Sequence, residues 1–111
     1  MSTRAIVERY FAAIRNRDCE ALRHMFADDA VLSSGGATYF GNDAIADWYL
    51  NQAFAINPEP ALGPFIVEGD RLAVEIDLHT SIGRLAVCDI FETKNDKIES
   101  LSIYGVPQLG D

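Results

Sequence analysis

Positive charge is what this chain has little of. Nine lysines and arginines stand against 17 aspartates and glutamates, for a net charge of −8 and a pI near 4.5. A nucleic-acid backbone or an anionic membrane surface needs a basic face that this balance does not supply, so neither is expected as a partner. Cysteine is equally scarce. Cys19 and Cys88 form no spaced motif and read as free, packed thiols in a reducing compartment. His24 and His79 stand alone, with no His-x-x-x-His or Cys-x-x-Cys spacing, so no metal and no cofactor is expected. There is no glycine-rich phosphate loop and no nucleophile elbow, and Ser33-Ser34 has no histidine at a useful spacing. No run approaches the roughly 18 apolar residues of a membrane span, and Met1-Ser2-Thr3-Arg4 carries no apolar leader region. These absences predict a cytoplasmic protein.

What remains is one domain of 111 residues, long enough to fold around its own core without a disulfide or a metal. Ile6, Val7, Tyr10, Phe11 and Ile14 fall at helical spacing and predict a helix over 3–16, with the Tyr10 hydroxyl pointed into the interior. Asp18 is placed to cap a second helix over 19–26. Asp28-Asp29 reads as a turn into a short strand, 30–34, stopped by Gly35-Gly36, and 38–40 is a second extended piece. Asn42 reads as the cap of a third helix, from Asp43 to about Ala55, that buries Ile45, Trp48, Tyr49 and Ala53. From Leu62 onward the chain reads as strands and turns. Leu72, Val74, Ile76 and Leu78 alternate with Ala73, Glu75, Asp77 and His79, and Lys94-Asn95-Asp96-Lys97 forms a hairpin loop.

One residue breaks its context. In Arg84-Leu85-Ala86-Val87-Cys88-Asp89-Ile90-Phe91 six positions are apolar and Asp89 lies among them. Such a run marks a strand covered on both faces, and an unpaired carboxylate there is costly. Asp89 therefore either finds a partner, Arg84 at a subunit contact being one, or keeps its proton. The outer residues Ala86, Cys88 and Ile90 also need a cover that no remaining helix supplies. A second copy of the chain is the simplest one, so a homodimer is expected.

The order of elements predicts an α+β fold, with three N-terminal helices on one side of a curved antiparallel sheet. Its chemistry-bearing residues come down to the two inward hydroxyls, Tyr10 and Tyr49, and the buried acid Asp89.

Val7-Glu8-Arg9-Tyr10-Phe11-Ala12-Ala13-Ile14, then Asp18 and Leu22-Arg23-His24-Met25-Phe26-Ala27-Asp28-Asp29-Ala30-Val31, resemble the opening of ketosteroid isomerases and SnoaL-like polyketide cyclases. These are members of the nuclear-transport-factor-2-like superfamily. The likeness continues through Gly41, Ala44-Ile45, Trp48-Tyr49, Val87-Cys88-Asp89-Ile90-Phe91 and Lys97-Ile98. It implies a cone-shaped fold around an apolar pocket. Tyr10 then matches the oxyanion-hole tyrosine, Asp89 the aspartic acid that stays protonated as second donor, and Tyr49 a supporting tyrosine. A carboxylic acid kept neutral by an apolar site is the known device of ketosteroid isomerase. Where that family keeps its general-base aspartate, at the end of the first strand, this chain has Ser34, and a serine hydroxyl accepts no proton near neutral pH unaided.

The expected catalytic residues are thus Tyr10, Asp89 and Tyr49. The expected pocket lining adds Ile14, Ser34, Trp48, Phe54, Val74, Ile76, Val87, Leu101 and Ile103. Three functions fit: an isomerase, cyclase or dehydratase stabilising an enolate on a small hydrophobic carbonyl compound, a non-catalytic binder of a phenol or ketone, and a dimerisation domain.

Overall fold

Helix α1 (Thr3–Arg15) forms where the apolar stripe predicts it. The Ser2 hydroxyl caps it by accepting from the Ala5 amide at 3.1 Å, and Ile6, Val7, Tyr10, Phe11 and Ile14 are buried along one side. The structure, a computed structural model, describes residues 1–105; the last six positions of the expected 1–111 domain lie outside the described residues. Helix α2 (Cys19–Met25) starts at Asp18, whose carboxylate accepts from the Ala21 amide at 3.0 Å. It buries Leu22 and leaves His24 exposed.

Strand β1 (Phe26–Ser34) is longer than expected, because Asp28 and Asp29 are not a turn. Both lie exposed where the pairing of β1 slips between Phe26 and Val31, a bulge that lets two acidic residues stand out of the ladder. Strand β2 (Ala37–Phe40) returns as an edge hairpin.

Helix α3 (Asn42–Trp48) corrects two further expectations. Its N-cap is Gly41, at φ +88° and with the Asp28 carbonyl 3.3 Å from where a Cβ would stand, so only glycine fits without strain. The Asn42 side chain instead donates to the Arg23 carbonyl at 3.2 Å, tying α3 to α2. Nor does the α-helix run to Ala55. At Tyr49 it widens into a π-helical turn, Tyr49–Ala53, and then tightens into a 3₁₀ turn, Phe54–Ile56. The Phe54 amide donates to the Tyr49 carbonyl five residues back. Residues five apart then share a side, whereas 3.6 residues per turn would rotate Phe54 away from Tyr49.

Strands β3 (Glu59–Glu68), β4 (Arg71–Thr80), β5 (Gly83–Lys94) and β6 (Lys97–Gly105) make an antiparallel meander. Pro60 and Pro64 are tolerated in β3 because it is an edge strand. The β5–β6 turn places Asn95 and Asp96 at φ 53° and 62°, the left-handed pair that a two-residue hairpin requires. The sheet order is β2-β1-β6-β5-β4-β3, and the sheet does not close on itself. It is mixed and not wholly antiparallel, since β1 lies parallel to β6. Parallel neighbours need a long crossover, and β2, α3 and the meander supply one. The helices cover one face, with α1 packed on β3, β4 and β5.

Candidate functional site

α1 fills only one half of the inner sheet face. There Leu72, Val74, Phe91, Ile98 and Leu101 pack into a closed core with Val7 and Phe11. Beyond Tyr10 and Ile14 the helix ends, and a cavity of about 250 Å³ opens over the other half. Its sheet side is Ile76, Leu78, Leu85, Val87, Asp89, Ile103 and Ser34, and Trp48, Tyr49, Gln52, Ala53, Phe54, Ile56, Pro58 and Pro60 complete the wall with Phe11.

The expected lining residues Ile14, Ser34, Trp48, Phe54, Ile76, Val87 and Ile103 are in this wall, with Tyr10, Tyr49 and Asp89. Val74 and Leu101 are not. Both face inward as expected, yet they are fully buried in the closed core and do not reach the cavity. Gln52, Ile56, Pro58 and Pro60 were missed because their positions depend on the widened end of α3. Leu78 carried a legible signal, as the next member of the β4 alternation.

Tyr10 is held on four sides. Phe11 and Phe91 pack edge-on at 4.9 and 5.0 Å between centroids, and Tyr49 and Phe26 stand at 6.1 and 6.3 Å. Its hydroxyl and that of Tyr49 are hydrogen-bonded at 2.5 Å. Burial first, and for Tyr10 also the neighbouring Tyr49 and Asp89, hold both phenols well above their usual pKa. Both are therefore neutral at physiological pH. One hydroxyl donates to the other, which leaves one phenolic proton for a third group.

Asp89 sits on β5 between Val74 of β4 and Ile103 of β6, and Ile103 in turn pairs with Ser34 of β1. Ser34 and Asp89 thus lie in one cross-strand row, two strands or about 10 Å apart. Asp89 is 4% exposed, and its Oδ1 is buried without a hydrogen-bond partner among the described residues. Arg84 is not its partner, since it donates to Asp77 on the sheet surface, Nε lying 3.2 Å from Oδ1. Burial pushes the Asp89 carboxyl up to about 7. Protonated, it is a second donor beside the tyrosine pair; ionised, it is a base in an apolar surround.

Among the described residues no group of three or more His, Cys, Asp or Glu side chains could hold a metal ion. No helix there is long and apolar enough to cross a membrane.

No curated protein sequence matches the chain. Among solved structures, a candidate polyketide cyclase from Sinorhizobium meliloti superposes with a TM-score of 0.83 at 29% identity, over 89% of this chain and 93% of that one. An NTF2-like protein of unknown function from Cytophaga hutchinsonii gives 0.81 at 16% identity, over 96% and 92%. A steroid delta-isomerase from Pseudomonas aeruginosa gives 0.80 at 20%, over 96% and 80%. The last two, below 25% identity, speak to the fold alone, which is NTF2-like. The SnoaL-like domain matches residues 7–101, nearly the whole described chain, and the chain belongs to that family.

Proposed function

We propose that the protein holds a small hydrophobic carbonyl or phenolic compound in this cavity, its oxygen against the Tyr10–Tyr49 pair and Asp89. Enolate-forming chemistry of isomerase, cyclase or dehydratase type is the reaction class open to such a site. The observation that carries this reading is Asp89, a carboxyl with an unpartnered buried oxygen, facing an apolar cavity beside a hydroxyl pair with one proton to give. An empty apolar cavity leaves such an oxygen unsatisfied at a cost, and a ligand oxygen relieves it. The 29%-identical relative, called a candidate polyketide cyclase, supports chemistry on a carbonyl compound. Binding without turnover is the second reading, favoured by Ser34 in the wall and by the lack, among the described residues, of any lining carboxylate besides Asp89.

Trp48, the chain's one tryptophan and part of the cavity wall, reports binding by its fluorescence. Phenol is expected to bind about tenfold more tightly than cyclohexanol, because its more acidic hydroxyl takes on more of an enolate oxygen's charge against the Tyr10 donor, and Tyr10→Phe should remove the difference. Equal affinities in the wild type would leave a merely apolar cavity. Deuterium wash-in from D₂O next to the carbonyl of a cyclic ketone separates enzyme from binder.

A homodimer belongs to the same proposal. Ala86, Cys88 and Ile90 form the uncovered face of β5, flanked by Tyr104 opposite Cys88 and Ile66 opposite Ala73, which are 58% and 64% exposed. This apolar stripe, bordered on β4 by Glu75 opposite Cys88 and Asp77 opposite Ala86, is more costly in water than against its own copy. Light scattering is expected to report a dimer at micromolar concentration, and Ala86→Lys a monomer. A monomeric wild type would refute the pairing.

A further inference from the structure

Besides Tyr10, Tyr49 and Asp89, the described cavity wall holds two polar side chains, Ser34 and Gln52. Ser34 is on the sheet side, in the cross-strand row that Asp89 shares through Ile103. Gln52 is on the opposite, helical side, in the π-helical turn Tyr49–Ala53. It is exposed, whereas Tyr49, three residues before it, is 2% exposed. One turn of chain therefore reaches from the closed end of the cavity to its solvent end. A phenol stands at the first and a carboxamide at the second.

The widened turn gives the cavity an unusually full share of this stretch. Trp48, Tyr49, Gln52, Ala53 and Phe54 all line it, while Leu50 and Asn51 are left exposed on the other side. Single π-helical turns recur at functional sites. A glutamine exposed on a polar surface needs no explanation. Gln52 stands instead at the rim of an apolar cavity, where an occupant meets a group that both donates and accepts.

The rest of the wall limits the occupant's charge and shape. Among the described residues no lysine, arginine or histidine lines it. Arg17 lies 5.4 Å over the Phe54 ring but outside the wall, its donors directed to the Ile14 carbonyl and to Asn57. An anionic arm would find no counter-charge here, in a chain of net charge −8. Tyr10, Phe11, Trp48, Tyr49 and Phe54 offer aromatic faces and edges, which favour a flat ring. We propose that Gln52 is the second polar anchor of the cavity, and that the ligand is an uncharged, flat ring compound with a second hydroxyl or carbonyl oxygen at the end away from Tyr10, Tyr49 and Asp89. This deepens the reading of the cavity given above and rests on it.

Matched phenols, titrated against Trp48 fluorescence, test the anchor. A hydroxybenzyl alcohol differs from the cresol of the same isomer by one hydroxyl, so the ratio of their affinities isolates the second oxygen. Gln52→Leu, at an exposed position of similar size, should lower that ratio about fivefold for at least one isomer, the worth of one hydrogen bond. Gln52→Glu keeps the acceptor and loses the donor. It should hold the alcohol and lose the matching hydroxyacetophenone, whose carbonyl only accepts, a split that altered packing does not produce. In the wild type the matching hydroxybenzoate, an anion at neutral pH, should bind about tenfold more weakly than the alcohol. Ratios that Gln52→Leu leaves unchanged in every isomer, or that Ser34→Ala lowers instead, overturn the anchor, as does equal loss of both ligands in Gln52→Glu. A hydroxybenzoate that binds as well as the alcohol overturns the uncharged class. Cresols that do not bind the wild type at all sink the reading of the cavity and the anchor with it, whereas cresols that bind while Gln52 makes no difference sink the anchor alone.

Discussion

Asp89→Asn is expected to gain stability over the wild type as pH rises from 4 to 8. Burial lifts the Asp89 carboxyl from 3.8 to about 7. In the unfolded chain the group ionises near the lower value, whereas the folded chain keeps its proton until near the upper one. Between them the native state binds one more proton than the unfolded state, so wild-type stability falls as pH rises. Below about 4 both states are protonated, above about 7 both are ionised, and the dependence is flat at each end. A separation of that size is worth on the order of 4 kcal/mol. Asparagine cannot ionise and is spared the loss. Urea titrations at pH 4, 6 and 8 measure it: the stability difference between variant and wild type should widen over that interval and then stop. Comparing the two proteins cancels contributions such as that of Asp77, whose carboxyl the Arg84 hydrogen bond holds below its usual range. Binding should follow the same logic. Wild-type affinity for phenol should fall as pH passes 7 and the donor is lost, while the amide of Asp89→Asn keeps donating. A difference between the two proteins that is equal at pH 4 and pH 8 would mean an ordinary ionised aspartate, and the donor role would fail.

Ser34→Asp is expected to bring or raise isomerase activity on a β,γ-unsaturated cyclic ketone. Ser34 is half-buried, lines the cavity, and shares a cross-strand row with Asp89 across Ile103. A carboxylate there would face a substrate whose oxygen rests about 10 Å away, two strands over. A positioned general base contributes typically 10²–10⁴-fold, so the gain should be plain against the wild-type rate. The half-buried site also lets the new carboxylate keep some water, which limits its desolvation cost. Tyr10→Phe in the same background should take back on the order of 10²–10³-fold, the value of one oxyanion donor. Dependence on both residues would identify a proton shuttle working against the Tyr10–Asp89 donors. Activity in Ser34→Asp that survives Tyr10→Phe would come from a base acting without an oxyanion hole. No activity, in a protein that binds phenol, would favour the binder.

Much of this was legible in the sequence, for a local reason. The stripe from Ile6 to Ile14, the alternation from Leu72 to Leu78 and the Asn95-Asp96 turn are short-range patterns, and the backbone periods of 3.6 and 2 turn them directly into helix, strand and hairpin. Asp89 could be picked out because a charge inside an apolar run violates such a pattern within a few residues. Its inward neighbours on β4, β5 and β6 followed from the same alternation.

Tertiary structure alone decided the rest. Val74 and Ile76 carry the same signal, yet one is sealed under α1 and the other faces the cavity, because the difference is where a helix from the other end of the chain stops. That β1 lies parallel to β6 depends on which edge of the meander the first hairpin joins, and no residue of either strand encodes it. The widened turn at Tyr49 and the cap at Gly41 answer to packing against α1, α2 and β1, which outweighs the weak preferences of Asn42 and Leu50-Asn51-Gln52. The meeting of Arg17 with Asn57, 40 residues on, appears only when two separate chain reversals bring their left-handed residues side by side. The sequence by itself determined the elements, the inward faces and the odd carboxyl. Where the core ends and the cavity begins was set by long-range packing, since burial is a property of neighbours that local sequence does not contain.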